Sequence, residues 1–103
     1  MDTDHRSHEP EDLWDYISVL RQSGKLNLTN FARLIGCSPI HAGRIEKPFS
    51  QTRITPSVTL LKSIARVVGK NDEERDIIER KLMMKRARIF FSKEIITNTL
   101  AEM

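Results

Sequence analysis

Apolar residues along the chain recur at helical spacing, and no stretch alternates with the period of two that a strand needs. Leu13, Ile17 and Leu20 fall at i, i+4 and i+7, which predicts a first helix over about residues 10–22. Pro10 suits its first position, with Glu11, Asp12 and Asp15 at its positive end and Gly24 as its stop. Asn27 is a capping residue for a second helix over 28–35, where Phe31, Ala32 and Ile35 share a face and Gly36 ends the run. Ser38-Pro39 pairs a hydroxyl cap with proline at the first helical position, and predicts a third helix over 39–47 with Ala42 and Ile45 inward and Pro48 as its end.

After a polar loop over 48–55, Thr55-Pro56 repeats the cap-and-proline start. Leu61, Ile64, Ala65 and Val68 then mark a fourth helix ending at Gly69, with Leu60 and Val67 on a neighbouring face. Asn71 and Glu74 form an Asn-x-x-Glu variant of the capping box, followed by a helix-compatible stretch to about residue 100. That stretch carries two broken stripes. Ile78, Leu82, Ile89, Ile96 and Leu100 form one, and Ile77, Met84, Phe91 and Ile95 the other. Ser92 is able to cap a restart, so one long helix and two shorter ones are both compatible. The expected fold is all-α, a compact bundle of four or five helices with a long C-terminal helix or helix pair. Residues 1–8 hold no apolar side chain after Met1 and are expected to be a mobile tail. Residues 9–70 are the expected domain and 71–103 a helical extension.

Composition narrows the class. Leu, Ile, Val and Phe make up 28 of 103 residues, enough for a small core that oligomerisation naturally supplements. No apolar run approaches the roughly 20 residues of a bilayer span, and the N-terminal residues lack the apolar stretch of a secretory signal. A cytoplasmic protein with no membrane partner is expected. A single cysteine, Cys37, excludes an internal disulfide and a cysteine-based zinc cluster. Its expected place is the helix junction, as a small hydrophobe. His5 and His8 lie in the tail and His41 stands apart, with no carboxylate pair, phosphate loop or nucleophile beside a base. The expectation is therefore neither an enzyme nor a metal or cofactor protein.

The net charge of +3 conceals a sharp partition. Residues 1–16 sum to −5, residues 17–69 to +7 with Glu46 the one acid, and residues 70–103 to +1. So basic a middle segment points to a polyanionic partner, for which nucleic acid is the usual candidate. That segment also holds two short helices joined by Gly36-Cys37-Ser38, the geometry of a helix-turn-helix, with Gly36 fit for the positive φ of a tight turn.

The stretch from Asn27 to Gly69 resembles the lambda-repressor-like (Cro/C1, or XRE) helix-turn-helix family. The matching pieces are Phe31-Ala32-x-x-Ile35-Gly36-Cys37-Ser38, Ala42-x-x-Ile45-Glu46, Pro56-Ser57-Val58 and Leu61-x-x-Ile64-Ala65-x-x-Val68-Gly69. The resemblance implies a five-helix DNA-binding module, usually dimeric, found in transcription regulators. Its third helix would lie in the major groove, with Pro39, Ile40, His41, Gly43 and Arg44 as the base-contact candidates. Arg44 suits guanine O6 and N7, Ile40 a thymine methyl, and His41 a base or a phosphate. Phosphate candidates are Asn27 and Thr29 at the start of the second helix, and Lys47, Ser50, Gln51, Thr52 and Arg53 in the loop after the third. The match also puts Glu46 at the family's structural glutamate, with Arg33 as a candidate partner.

Three departures stand out. Leu28 occupies the place where the family commonly has a glutamine. Gly43 lowers helix propensity by about 1 kcal/mol relative to alanine. The loop from Glu46 to Pro56 is about four residues longer than usual for the family. In the C-terminal third, Arg80, Lys81, Lys85, Arg86, Arg88 and Lys93 have no acid between Glu79 and Glu94, and read as a solvated face or as further phosphate contacts. Ile89, Phe90, Phe91, Ile95, Ile96 and Leu100 are the dimerisation candidates, since a twofold dimer doubles contacts to symmetric half-sites. Trp14 and Tyr16 belong either to that packing or to the core. The expectation is a homodimeric repressor on a palindromic duplex. The alternative is a protein-interaction module on the same fold, an antitoxin or antiactivator, motivated by the apolar surface at Pro39 and Ile40 and requiring a regulatory protein partner.

Overall fold

A computed structural model describes residues 9–46 and 54–102, with side chains described as far as residue 91. The expected tail over 1–8 and most of the loop after the third helix lie outside the described residues. Five helices follow in order: α1 Leu13–Ser23, α2 Leu28–Ile35, α3 Pro39–Arg44, α4 Val58–Val68 and α5 Asp72–Glu102. No strand occurs among the described residues. The fold is the all-α bundle the periodicity predicts, and its C-terminal stretch is one continuous helix with no restart at Ser92.

The caps are local chemistry. Asn27 Oδ1 accepts the Asn30 N–H at 2.8 Å, Ser38 Oγ that of His41 at 3.1 Å, and Asn71 Oδ1 that of Glu74 at 2.8 Å. Glu74 reaches back one residue further than in the usual box and accepts from the Lys70 N–H at 2.9 Å. Two predicted starts are corrected. Helix α1 begins behind Asp12, whose carboxylate accepts the Asp15 N–H at 3.0 Å, so Pro10 lies outside the helix. Helix α4 is capped by Ser57 and not by Thr55, and Pro56 is a buried residue ahead of it. Helix α3 ends at Arg44, short of Pro48. At the end of α1 the positive φ (58°) falls on Lys25, while Gly24 stays right-handed.

The core draws on all five helices and the residue after α3. Leu13, Trp14, Tyr16 and Ile17 come from α1, Phe31, Ala32 and Ile35 from α2, and Ala42 and Ile45 from α3 and its end. Leu61, Ile64 and Ala65 come from α4, and Ile78 and Leu82 from α5. Trp14 and Tyr16 thus serve the core, and Leu60, Val67 and Ile89 pack partly buried against it. Trp14 Nε1 donates to the Ile54 carbonyl at 2.8 Å, tying the chain ahead of α4 to α1.

The segment before α1 is held on α5 by ions. Glu9 bridges Lys81 at 2.7 Å and Lys85 at 3.0 Å, and Lys85 Nζ also donates to the Pro10 carbonyl at 2.8 Å. Lys85 is buried, its ammonium 4.8 Å from the Tyr16 ring centroid. Burial, reinforced by the Glu9 charge, pushes the Tyr16 hydroxyl up to about 12.

Candidate nucleic-acid interface

Helices α2 and α3 meet through a turn in which Gly36 and Cys37 return their N–H groups to the end of α2. Gly36 adopts φ 84°, the left-handed region that glycine enters without a Cβ penalty. Its N–H reaches the Ala32 and Arg33 carbonyls at 2.9 and 3.3 Å, and Cys37 N–H reaches Ala32 O at 2.9 Å. This is a Schellman closure. Cys37 packs partly buried at the junction, and burial pushes its thiol up, which suits a filler of space and not a nucleophile. Ala32 and Ala42, both fully buried, keep α2 and α3 close. The unit is a helix-turn-helix.

With Ala42 and Ile45 inward, α3 turns its other side to solvent. Pro39, Ile40 and Arg44 are exposed, Ile40 to 71%, and His41 and Gly43 are half-buried beside them. All five base-contact candidates therefore lie on or next to one accessible face. Gly43 is not required by packing, because a Cβ there would meet only Leu28 Cδ2 at an ordinary 3.7 Å. Leu28 has a packing role: it sits half-buried against the core, between α2 and α3. At the start of α2, Asn27 and Thr29 are exposed; the Asn27 oxygen is engaged as the cap, which leaves its amide NH₂ as the donor to a ligand. Lys47, Ser50, Gln51, Thr52 and Arg53 lie outside the described residues.

Charge separates this region from the rest. Glu46, its one acid, is taken up by Arg21 of α1, whose Nε donates to Oε2 at 2.7 Å. Arg21 also donates to the Leu26 carbonyl at 2.9 Å. The expected partner Arg33 is exposed and instead meets Asn30 Oδ1 at 3.2 Å within its own helix. Nothing local in the sequence marks Arg21 for this role, because 25 positions separate the pair. Lys25, Arg33, Arg44, Lys62 and Arg66 are exposed and have no ion-pair partner among the described residues.

In the basic run of α5, Arg80, Lys81 and Arg88 are exposed, and each forms an ion pair within the chain. Lys81 and Lys85 hold Glu9, Arg88 faces Glu11 at 3.9 Å, and Arg80 pairs with Asp76 at 3.0 Å. Arg86 donates to the Pro56 carbonyl at 2.8 Å and lies over the Phe90 ring. Of the dimerisation candidates, Phe90 and Phe91 are exposed and Ile89 turns toward the chain's own core. The side chains of Ile95, Ile96 and Leu100 lie outside the described residues. The stripe with its members exposed is Ile77, Met84 and Phe91.

Fold and site together define a class: an all-α protein carrying a helix-turn-helix whose second helix offers an acid-free outer face. Comparison with protein-family models, curated proteins and solved structures gives no match in any of the three. No helix among the described residues is long and apolar enough to cross a membrane.

Proposed function

We propose that this protein is a DNA-binding transcription regulator of the lambda-repressor-like kind, a cytoplasmic homodimer that represses from a palindromic operator with α3 in the major groove. One observation carries the reading: the outer face of α3 presents Pro39, Ile40 and Arg44 in a segment whose single acid is neutralised by Arg21. A duplex groove is lined by phosphates, so an acid left free there would repel it, and cations without partners attract it. Arg44 supplies a guanidinium for a guanine edge, and Asn27 and Thr29 supply donors for a phosphate. The long α5 supplies the dimer contact.

Selection from randomised duplexes, followed by anisotropy titration at two salt concentrations, tests this. Wild type is expected to enrich a palindrome, with affinity falling steeply with salt. Arg44→Ala is expected to weaken the selected site by roughly 5- to 150-fold, the equivalent of about 1–3 kcal/mol, and to relax preference at one base pair. Sequence-blind binding unchanged by Arg44→Ala overturns the reading. The 71% exposure of Ile40 favours a second reading, a protein-interaction module with the α3 face seated on a regulatory partner. That reading expects a stable heteromeric complex lost in Ile40→Asp, with no selected duplex.

A further inference from the structure

A cleft of about 470 Å³ is lined by residues of α1, the end of α4 and the first three turns of α5. Its lining is mixed. Leu20, Gly24, Val68, Ile77 and Ile78 supply apolar and small surface, whereas Tyr16, Ser23, Lys70, Glu74 and Lys81 bring polar groups to it. Small-molecule sites of roughly 300–1,000 Å³ combine apolar walls with a few convergent polar groups in the same way. One of these polar groups is buried and unpartnered. Tyr16 is only 5% exposed, and its hydroxyl makes no hydrogen bond among the described residues. No fully buried side-chain oxygen or nitrogen among those residues lacks a partner, so this hydroxyl opens into the cleft that Tyr16 lines.

The groups left over are donors. With burial pushing it up to about 12, the Tyr16 hydroxyl keeps its proton and donates at neutral pH. Lys70 is exposed and has no ion-pair partner among the described residues. The one acid of the lining, Glu74, already accepts the Lys70 N–H at 2.9 Å, and Lys81 is taken by Glu9 at 2.7 Å. Donors beside apolar surface fit a molecule with an anionic head and an apolar body. We propose that this cleft binds a small amphipathic carboxylic acid, its carboxylate on the Tyr16 hydroxyl and the Lys70 ammonium and its body against Leu20, Val68 and Ile77. No residue of α3 lines the cleft, so the site stands whether or not α3 reads a duplex.

Titration of the nitrogen-15-labelled full chain with octanoate and with phenylpropionate, followed by amide chemical shifts, tests the site. At least one acid is expected to give saturable shifts at Leu20, Gly24, Lys70 and Ile77. Octanol and phenylpropanol, with the same bodies and no carboxylate, are expected to bind about 10-fold more weakly or worse, the scale of hydrogen bonds to a charged group. Tyr16→Phe removes the hydroxyl and keeps the ring beneath the Lys85 ammonium, and should weaken the acid by about 10-fold. Lys70→Gln, at an exposed position, should weaken it in the same direction and serves if Tyr16→Phe does not fold. The proposal is overturned if neither acid gives saturable shifts at the cleft. Alcohols that bind as tightly as the acids overturn it too, as apolar adsorption alone. So does an affinity that the folded variants leave unchanged.

Discussion

Removing the Glu46 carboxylate tests whether the acid beside α3 is structural. Arg21 Nε and Glu46 Oε2 lie 2.7 Å apart, with 19% and 8% of the side chains exposed. Loss of one partner from a buried pair costs about 3–5 kcal/mol, because the other charge stays desolvated without compensation. Arg21 keeps its bond to the Leu26 carbonyl and some contact with water, which places Glu46→Ala at the low end, about 3 kcal/mol. At about 4 °C per kcal/mol for a chain of this length, the melting temperature should fall by roughly 12 °C. The fully buried Ile45 precedes Glu46, so the end of α3 should loosen with it. Calorimetry on Glu46→Ala, Arg21→Met and the double variant Arg21→Met/Glu46→Leu closes a cycle. Both single variants should melt early, and the apolar pair should return to within about 1 kcal/mol of wild type. A loss below about 1 kcal/mol in Glu46→Ala would refute the reasoning, since that is the scale of an exposed pair.

Gly43→Ala should stabilise the fold by about 0.5–1 kcal/mol, because its Cβ meets only Leu28 and helix propensity rises. If α3 approaches a duplex closely there, the same variant binds more weakly, so denaturant melts and anisotropy should move in opposite directions. Gly69→Ala should destabilise by about 1–3 kcal/mol, because a Cβ would collide with the Arg75 Cα and the Ala65 carbonyl, both at 2.9 Å, and neither backbone can step aside. Burial alone would raise the Glu9 carboxyl, but Lys81 and Lys85 outweigh it and hold it below its ordinary 4.5. A depressed carboxyl stabilises the fold above its unfolded value and loses that contribution as pH falls through the folded one. The melting-temperature gap between wild type and Glu9→Gln should therefore be widest near neutral pH and close below about pH 4.

What the sequence makes legible divides by the range of the interaction. Helix α2 has its predicted bounds, because Asn27 and Gly36 act on donors and acceptors within four residues. The two missed starts share a cause at long range. The Pro10 carbonyl is taken by Lys85 and the Pro56 carbonyl by Arg86, 75 and 30 positions away. A proline pinned in this way leads up to a helix and does not open it, so Asp12 and Ser57 become the caps. Both stripes of α5 are visible as periodicity, but periodicity cannot say which one faces inward. The cations decide that: Lys85 joins Ile78 and Leu82 on the buried side because Glu9, Pro10 and Tyr16 are there to receive it. The face of α3 was readable from Ser38-Pro39 and the inward Ala42 and Ile45. The partner of Glu46 was not, because Arg33 is near in sequence and Arg21 is near only in the fold.

The same ion pairs explain how one small chain keeps two faces of different electrical character. Acids and bases are segregated along the sequence, −5 in the first 16 residues and +7 in the next 53. Were the leading acids to fold onto the basic middle, the charges would cancel there. Among the described residues, Glu9 instead pairs with Lys81 and Lys85 of α5 and Glu11 faces Arg88, and Arg33, Arg44, Lys62 and Arg66 of α2 to α4 remain exposed. The α5 face becomes balanced by the same contacts that leave the α3 face cationic. The two interactions proposed for these faces then respond oppositely to ionic strength. Added salt screens the attraction of α3 for phosphates within a Debye length of about 10 Å at 0.1 M, whereas it does not weaken an apolar contact along α5. Duplex binding should therefore be lost with salt from a species that is still a dimer, and sedimentation across the salt range of the binding titration is the measurement that separates the two.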